Sequence, residues 1–301
     1  MYRTATFTHE GHQLTYDEYG SGDRLVVYMH GLLLDSELNR GIAEALAHRS
    51  NRVVLLDLLG HGRSDKPTHA SEYRIDSYAT QVFSLLDHLG VQRAVLGGLS
   101  LGANVSLFAA TQQPDRVQGL VLEMPVLERA VPSAALAFVP IVLAAHYGRP
   151  VMRVISDAVR RLPRTPWGPI NTFLHAGSLP PEVLAAIMHG VLVGPVAPTQ
   201  EDRVSIQAPT LVLAHRNDLI HPFDDAVGLV GQMPNARLER ARSPLELRLR
   251  PERLTDCITS FIDDTYAAPE PTRTARTART AGVGAGKKAA ARTASSNGTK
   301  R

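Results

Sequence analysis

The pattern Gly-x-Ser-x-Gly occupies positions 98–102, with Ser100 between Gly98 and Gly102. Residues 93–99 are apolar enough for a buried strand and residues 103–112 have helical spacing, so the sequence predicts a strand-to-helix turn at Ser100. A serine in such a strained turn can act as a nucleophile, and its neighbours must be glycines because Cβ atoms would not fit. Leu101 would lie at the start of the helix, where its backbone N–H would stabilise an oxyanion. The same pattern also suits a serine that only caps the helix.

Apolar strands alternate with helical segments around this turn, and that order predicts a parallel sheet. The predicted strands cover residues 4–8, 13–19, 24–29, 52–56, 93–99, 117–122, 210–214 and 236–240, of which the first two are antiparallel edge strands. Outside the long insertion after the sixth strand, the predicted helices cover 37–48, 75–89, 103–112, 224–233 and 251–266.

The insertion between the sixth and seventh strands, residues 125–204, is divided by prolines, which favours several short helices. Loops at the carboxyl edge of a parallel sheet surround the usual ligand crevice, so this segment should form a cap above Ser100. Residues 1–124 and 205–266 then form the core domain. Apolar side chains of the cap are candidates for lining a substrate pocket or for packing the cap onto the core: Leu136, Phe138, Ile141, Trp167, Phe173 and Leu174.

The charge of the 301-residue chain is unevenly distributed, although the net value is only +3. Residues 267–301 contain eight Lys or Arg and one acid, whereas residues 1–266 carry a net charge of −4. The tail 267–301 is rich in Ala, Thr and Arg and is expected to be disordered. It offers at most weak contact with nucleic acid or anionic lipid, and a solubilising role is favoured because the tail lacks aromatic residues.

The sequence contains no metal-binding or nucleotide-binding pattern, so no metal and no cofactor are expected. Cys257 is the single cysteine, which excludes an internal disulfide and fits a reducing compartment. Residues 1–13 lack the features of a secretory signal, and a cytoplasmic location is expected. The apolar run 134–145 is interrupted by Pro140 and is shorter than the ~20 residues that cross a bilayer, which predicts no membrane span.

Four landmarks along the chain resemble those of the α/β-hydrolase family. They are His30-Gly31 after the third strand, Asp57 with the loop 60–64 after the fourth, the Ser100 motif after the fifth and Asp218 after the seventh. The resemblance implies an α/β-hydrolase fold with a mostly parallel eight-stranded sheet, helices on both faces and a helical cap insertion.

The same resemblance implies roles for individual residues. Ser100 would be the nucleophile and Asp218 the acid of a catalytic triad, while the N–H groups of Leu32 and Leu101 would form the oxyanion hole. In this family a histidine at the position of His30 organises its loop, and His61 likewise belongs to a structural turn.

The chain departs from the family at the general base. The family has Gly-His after the last strand, whereas residues 240–248 here read Arg-Ala-Arg-Ser-Pro-Leu-Glu-Leu-Arg, and no histidine follows His221. Since a serine hydroxyl is a weak nucleophile unless a neighbour takes its proton, a base must come from elsewhere. His221, three residues after Asp218, is the most economical candidate, and His215 is the second.

Other interpretations remain open from the sequence. A cap histidine could reach Ser100, or the substrate could supply its own base; the candidates are His146, His175 and His189. Alternatively the chain is a hydrolase-like scaffold that binds a small ligand or a protein partner without turnover, with Glu246 and Arg248 forming salt bridges where the base would lie.

The favoured function is a serine hydrolase acting on a small apolar ester, thioester or related carbonyl compound. Dehalogenase-like and epoxide-hydrolase-like reactions are disfavoured because position 100 holds serine rather than aspartate. Ester, thioester, lactone and carbon–carbon hydrolysis all pass through an oxyanion and stay possible.

Overall fold

The computed structural model describes residues 2–216, 218 and 220–268. From Pro269 onward the tail lies outside the described residues. Its predicted disorder and its predicted contact with nucleic acid or lipid therefore stay predictions.

Within the described residues, one mixed sheet has the strand order β1-β2-β4-β3-β5-β6-β7-β8. The strands are β1 Tyr2–His9, β2 His12–Tyr19, β3 Arg24–Met29, β4 Asn51–Asp57, β5 Ala94–Leu99, β6 Val117–Glu123, β7 Thr210–Ala214 and β8 Ala236–Arg240. β2 runs antiparallel to β1 and β4, and all other pairs are parallel. The predicted mostly parallel, eight-stranded sheet is confirmed.

The helices of the core domain are α1 Arg40–Ala47, α2 Ile75–His88 and α3 Leu101–Gln112. After β6 come α4 Val131–Tyr147, α5 Arg149–Arg160, α6 Gly168–Gly177, α7 Pro181–Val193 and α8 Gln200–Ser205. The carboxyl-terminal part contributes α9 Phe223–Gln232, α10 Glu246–Leu249 and α11 Glu252–Ala267. Short 3-10 turns precede α1 at Ser36–Asn39 and α2 at Ala70–Tyr73, follow α3 at Pro114–Arg116 and precede α4 at Glu128–Ala130.

Successive residues of the central strands pack into different hydrophobic clusters on opposite faces of the sheet, because side chains alternate across a strand. In β3, Val27 packs into the larger cluster with α2 and α3, whereas Val26 packs into the smaller one with α1 and α11. Both valines are 0% exposed, and helices cover both faces of the sheet. This double burial explains why the parallel strands appear in the sequence as continuous apolar runs.

One strand differs from the sequence prediction. β2 is an interior strand that pairs with β1 and β4, so only β1 lies at that edge. Polar residues made β2 resemble an edge strand, but Asp17 is 0% exposed and accepts hydrogen bonds from both terminal nitrogens of Arg63 at 2.9 Å. A buried carboxylate is tolerated there because it is paired.

The register of the central strands brings their carboxyl ends to one edge. Met29 pairs with Gly98, and Leu99 pairs with Glu123, which in turn pairs with Leu213. The loops after β3, β5 and β7 therefore leave the sheet at the same edge, where parallel α/β sheets bind ligands.

The apolar segment that contains α4 is longer than the sequence analysis assumed, so its length does not exclude a membrane span. The 3-10 turn and α4 form one 20-residue apolar segment, Glu128–Tyr147, which is long and apolar enough to cross a bilayer and is only 11% buried. Pro140 does not end the helix. Proline has no N–H, so the carbonyl of Leu136, four residues earlier, lacks its helical hydrogen bond. Leu136 is 81% exposed, so water can bond to that carbonyl instead.

Candidate active site

Ser100 occupies the turn between β5 and α3, as the sequence predicts. Its backbone lies at φ 52° and ψ −103°, a strained conformation for a residue with a Cβ atom. The turn is held from both sides, because the Ser100 N–H donates to Glu123 O at 2.8 Å and the Gly102 N–H donates to His30 O at 3.1 Å. A Cβ atom at Gly98 would lie 2.4 Å from Met29 O, so the approach of β3 requires glycine there.

His221 lies between Ser100 and Asp218. Its Nε2 is 2.9 Å from Ser100 Oγ, and its Nδ1 is 3.0 Å from Asp218 Oδ2. A carboxylate can only accept, so Nδ1 donates to Asp218 and the lone pair of Nε2 faces the serine hydroxyl. The structure thus brings together the three residues that the sequence proposed for catalysis.

The loop after β7 holds this histidine by its own backbone. Asp218 Oδ1 accepts from the N–H groups of Ile220 at 2.8 Å and His221 at 3.0 Å, in a turn typical of aspartate. Burial opposes ionisation of Asp218, but the hydrogen bonds from His221 and Ile220 outweigh it and lower the pKa of Asp218 well below its usual range. The carboxylate stays charged and fixes the orientation of the ring.

His215, the second candidate for the base, lies beside the acid rather than the serine. Its Nε2 is 3.0 Å from Asp218 Oδ2, without the alignment of a hydrogen bond, and the side chain is 3% exposed. Its proximity to Asp218 was not predicted.

The cap histidines do not contact Ser100. His175 pairs with the buried Asp35, while His146 and His189 are exposed. Burial disfavours the charge of Asp35, but hydrogen bonds from His175 and Thr172 prevail and lower its pKa. His175 therefore ties α6 of the cap to the loop after β3.

Ion pairs occupy the region after β8, where the family has its histidine. Arg248 pairs with Glu123 and donates to Asn39 Oδ1 at 2.8 Å. Glu246 accepts from Arg253 at 2.8 Å. The predicted salt bridges are present, although Glu246 and Arg248 pair with other residues and not with each other.

The proposed oxyanion donors Leu32 and Leu101 line the same cavity as Ser100. Leu32 lies in a tight turn that is closed by the Leu34 N–H donating to Gly31 O at 3.1 Å, with Leu33 at φ 62°. Leu101 is the first residue of α3, where an N–H has no acceptor within its own helix. Both N–H groups are therefore candidates for binding a ligand oxygen.

His30 and His61 make contacts that suit structural roles. His30 is 0% exposed, donates from Nδ1 to Gly31 O at 2.8 Å and accepts from the Leu58 N–H at 3.1 Å. His61 Nδ1 donates to Leu59 O at 3.0 Å. Burial lowers the pKa of His61 to about 3, so this ring is neutral near pH 7.

The cavity beside Ser100 has a volume of about 110 Å³. Of the six cap residues proposed to line it, only Phe138 does so; Leu136, Trp167 and Phe173 are more than half exposed. α4 directs one side of its surface inward, and the remaining lining comes from α2, α3, α7 and loop residues. The other lining residues from the cap and its junctions are Val126, Val131, Ala134, Ala135, Met188, Val191, Leu192 and Val196.

Asn104, which was not predicted as a site residue, joins the cap to the nucleophile helix. Its Nδ2 donates to Val126 O at 2.7 Å and Val196 O at 2.6 Å, and its Oδ1 accepts from the Val126 N–H at 3.0 Å. Both ends of the cap are thereby attached to α3 one turn after Ser100. The available signal was an amide side chain in the mostly apolar first half of the helix.

Known proteins match this chain in sequence and in fold. The family model for the alpha/beta hydrolase fold matches residues 24–145. A 2-hydroxy-6-oxononadienedioate/2-hydroxy-6-oxononatrienedioate hydrolase of Pseudomonas putida is 30% identical over 75% of this chain and 82% of its own length. The chain belongs to the α/β-hydrolase family.

Two further known proteins are similar to this α/β-hydrolase. A haloalkane dehalogenase of Mycolicibacterium paratuberculosis is 34% identical over 38% of each chain, so the match spans under two fifths of that relative's length. A solved structure of an N-acyl homoserine lactone degrading enzyme is 27% identical, with a TM-score of 0.68, and covers 85% of this chain and all of its own. The relatives agree in fold and differ in named substrate.

No group of three or more His, Cys, Asp or Glu residues that could hold a metal ion occurs in the part of the chain that the structure describes.

Proposed function

We propose that this α/β-hydrolase is a serine hydrolase with Ser100 as nucleophile, His221 as general base and Asp218 as the orienting acid. The observation that carries the proposal is the pair of contacts of His221, at 2.9 Å to Ser100 Oγ and 3.0 Å to Asp218 Oδ2. A base within hydrogen-bond reach of the hydroxyl, itself held by a third group, is the arrangement that activates serine.

The first half of the reaction follows from these contacts. His221 Nε2 takes the proton of Ser100 while Oγ attacks the substrate carbonyl, and the carbonyl oxygen becomes an oxyanion. The N–H groups of Leu32 and Leu101 stabilise that charge. His221 then returns the proton to the leaving group, and the acyl group stays on Ser100. In the second half, His221 activates water in the same way and the acid is released.

The cavity favours a small apolar acyl group. Its volume of about 110 Å³ is somewhat less than the ~150 Å³ of an engineered cavity that holds benzene. The side chains that line it are apolar apart from Ser100 and Asn104, and the Asn104 amide already bonds to the cap backbone. We therefore propose short-chain or small cyclic esters, thioesters or lactones as substrates.

The test is labelling of the purified protein with a fluorophosphonate probe, followed by mass spectrometry of the modified peptide. We expect labelling at Ser100 in the wild type, none in Ser100→Ala, and a loss of about 10⁴-fold in rate in His221→Ala. His189→Ala is the matched control, because this exposed cap histidine should leave the rate unchanged.

Hydrolysis of p-nitrophenyl esters of increasing acyl length then tests the substrate class. We expect acetate and butyrate to be cleaved and kcat/KM to fall for longer chains. Absence of labelling in the folded wild type would overturn the enzyme proposal in favour of a ligand-binding or partner-binding scaffold. Labelling that survives His221→Ala would overturn the assignment of the base.

A further inference from the structure

The outward side of the cap is apolar along two successive helices. In α4, Leu136, Val139, Leu143 and Tyr147 recur at helical spacing and are 81%, 43%, 50% and 78% exposed. In α5, Val151, Val154 and Ile155 are 64%, 70% and 49% exposed. We call these seven side chains the cap face. Exposed apolar surface of this extent usually marks an interaction site.

The opposite side of α4 is already used. Phe138 lines the cavity beside Ser100, and Ile141, Val142 and Phe138 pack against the core cluster. α4 therefore has an inward side that belongs to the folded domain and an outward side without a described partner within the chain. A helix partnered on one side only fits the plane of an interface better than a transmembrane position.

The segment that carries the cap face has a positive net charge, in contrast to the rest of the ordered domain. Within it, Arg153 pairs with Glu182 and Arg160 with Asp157. Residues 131–164 contain five arginines and one aspartate, a net charge of +4, whereas the remainder of residues 1–266 carries −8. The arginines are Arg149, Arg153, Arg160, Arg161 and Arg164. Exposed aliphatic side chains beside arginines are typical of helices that lie on anionic membranes.

We propose that the cap face docks this protein on an anionic lipid surface. A second copy of the chain fits less well, because a symmetric contact through this face would oppose two segments of charge +4. A lipid surface instead supplies both the apolar phase for the cap face and the negative charge for the arginines.

Docking through the cap face would bring α4, which also lines the cavity beside Ser100, to the lipid surface. Val131 and Leu192 line the cavity beside Ser100 and are also 47% and 45% exposed. An apolar ester dissolved in the membrane could then enter without crossing water. This consequence rests on the proposed hydrolase function, whereas lipid docking itself does not.

The experiment is flotation of the full-length protein with vesicles of phosphatidylcholine alone or with about 30% of the anionic lipid phosphatidylglycerol, at low and high salt. We expect binding to the anionic vesicles, weakened by salt. Leu136→Gln/Leu143→Gln should lower the partition coefficient at least about tenfold. Arg149→Glu/Arg161→Glu should lower it at least about 25-fold, since each arginine contributes about fivefold.

Matched controls come from exposed residues outside the cap. Leu245→Gln/Leu249→Gln changes two leucines that are 54% and 57% exposed, and Arg240→Glu/Arg250→Glu changes two exposed arginines. Both controls should bind like the wild type. All variants keep residues 269–301, so a loss confined to the cap variants cannot come from the basic tail.

Three results would overturn the proposal. The first is a wild type that binds neither type of vesicle. The second is binding of the cap variants as strongly as the controls, which would assign binding to another surface. The third is a wild-type dimer, seen by light scattering, that Leu136→Gln/Leu143→Gln converts to a monomer, which would assign the cap face to a second copy. Ser100→Ala should dock normally, so failure of the hydrolase proposal leaves this test intact.

Discussion

Replacing Asp218 by asparagine should reverse the hydrogen-bonding direction at His221. The side-chain oxygen of the new amide can keep the backbone N–H groups of Ile220 and His221, which Asp218 Oδ1 accepts at 2.8 and 3.0 Å. The amide nitrogen then faces His221 Nδ1, where Asp218 Oδ2 lies at 3.0 Å. Because that amide donates, Nδ1 must accept, and the ring proton moves to Nε2. A protonated Nε2 cannot take the proton of Ser100.

The expected magnitude follows from this tautomer change. We expect kcat/KM to fall about 10⁴-fold, or about 5.4 kcal/mol of transition-state stabilisation. The free energy of unfolding should change by only about 1 kcal/mol, since the turn keeps its acceptor. Asp218→Ala should lose comparable activity and a further ~1–3 kcal/mol of stability, because two backbone N–H groups lose their partner.

The assay compares p-nitrophenyl butyrate hydrolysis and urea unfolding of the three proteins. Asp224→Asn is the matched control, because this carboxylate is 72% exposed and pairs with Arg129 at the surface. It should leave both measurements unchanged. A loss of less than about tenfold in Asp218→Asn would refute the reasoning, since His221 would then be oriented by another group.

Three further predictions concern the framework of the site. Gly98→Ala should lower the free energy of unfolding by at least about 2 kcal/mol, because its Cβ would lie 2.4 Å from Met29 O. Arg248→Met should cost about 3–5 kcal/mol, because it leaves Glu123 buried and without its cationic partner. His61→Asn should flatten the acid dependence of stability. The pKa of His61 is about 3 in the folded protein and ~6.5 when unfolded, so between these values the unfolded state binds more protons. Stability therefore falls as pH falls from about 6.5, by at most about 1.4 kcal/mol per pH unit from this residue.

Urea unfolding monitored by circular dichroism checks all three. Gly41→Ala is the control for Gly98→Ala, since a Cβ there meets nothing within 4 Å, and an equal loss in both would contradict the steric argument. For the ion pair, Arg248→Met/Glu123→Gln should recover part of the loss, and a double variant less stable than the single one would refute the cause given. For His61, an unchanged slope between about pH 6.5 and about pH 4 would show that other groups cause the acid sensitivity.

Local sequence predicted the elements that carry the site. The apolar runs of β3 to β7 identified parallel strands because those strands are buried on both faces. The glycines at 98 and 102 identified the turn at Ser100 because β3 approaches too closely for any side chain. Asp218 and His221 were predicted to act together from their spacing of three residues, and the turn between them explains why that spacing suffices.

Predictions from the pattern of polar and apolar residues were wrong where contacts between distant parts of the chain decide which side chains are buried. β2 resembled an edge strand because it carries charged residues, but Asp17 is paired with Arg63 and Glu18 with Arg52, both remote in the sequence. Leu136, Trp167 and Phe173 resembled pocket residues, but an apolar side chain in a helical cap can point inward or outward with the same sequence periodicity. The length of α4 was underestimated since proline is tolerated where the helix faces solvent.

The sequence by itself determined the order of the strands and helices, the turn at Ser100 and the short spacing between Asp218 and His221, because these depend on local geometry. Its resemblance to the family implied the fold and the role of Asp218 as the acid. The tertiary structure alone decided that His221 Nε2 reaches Ser100 Oγ, 121 positions away, and that Arg248 fills the region after β8 with an ion pair. It also decided which side of α4 faces the cavity. The physical reason is that such contacts depend on the register of the sheet and on the packing of the cap, and both are set by many residues distant in the chain.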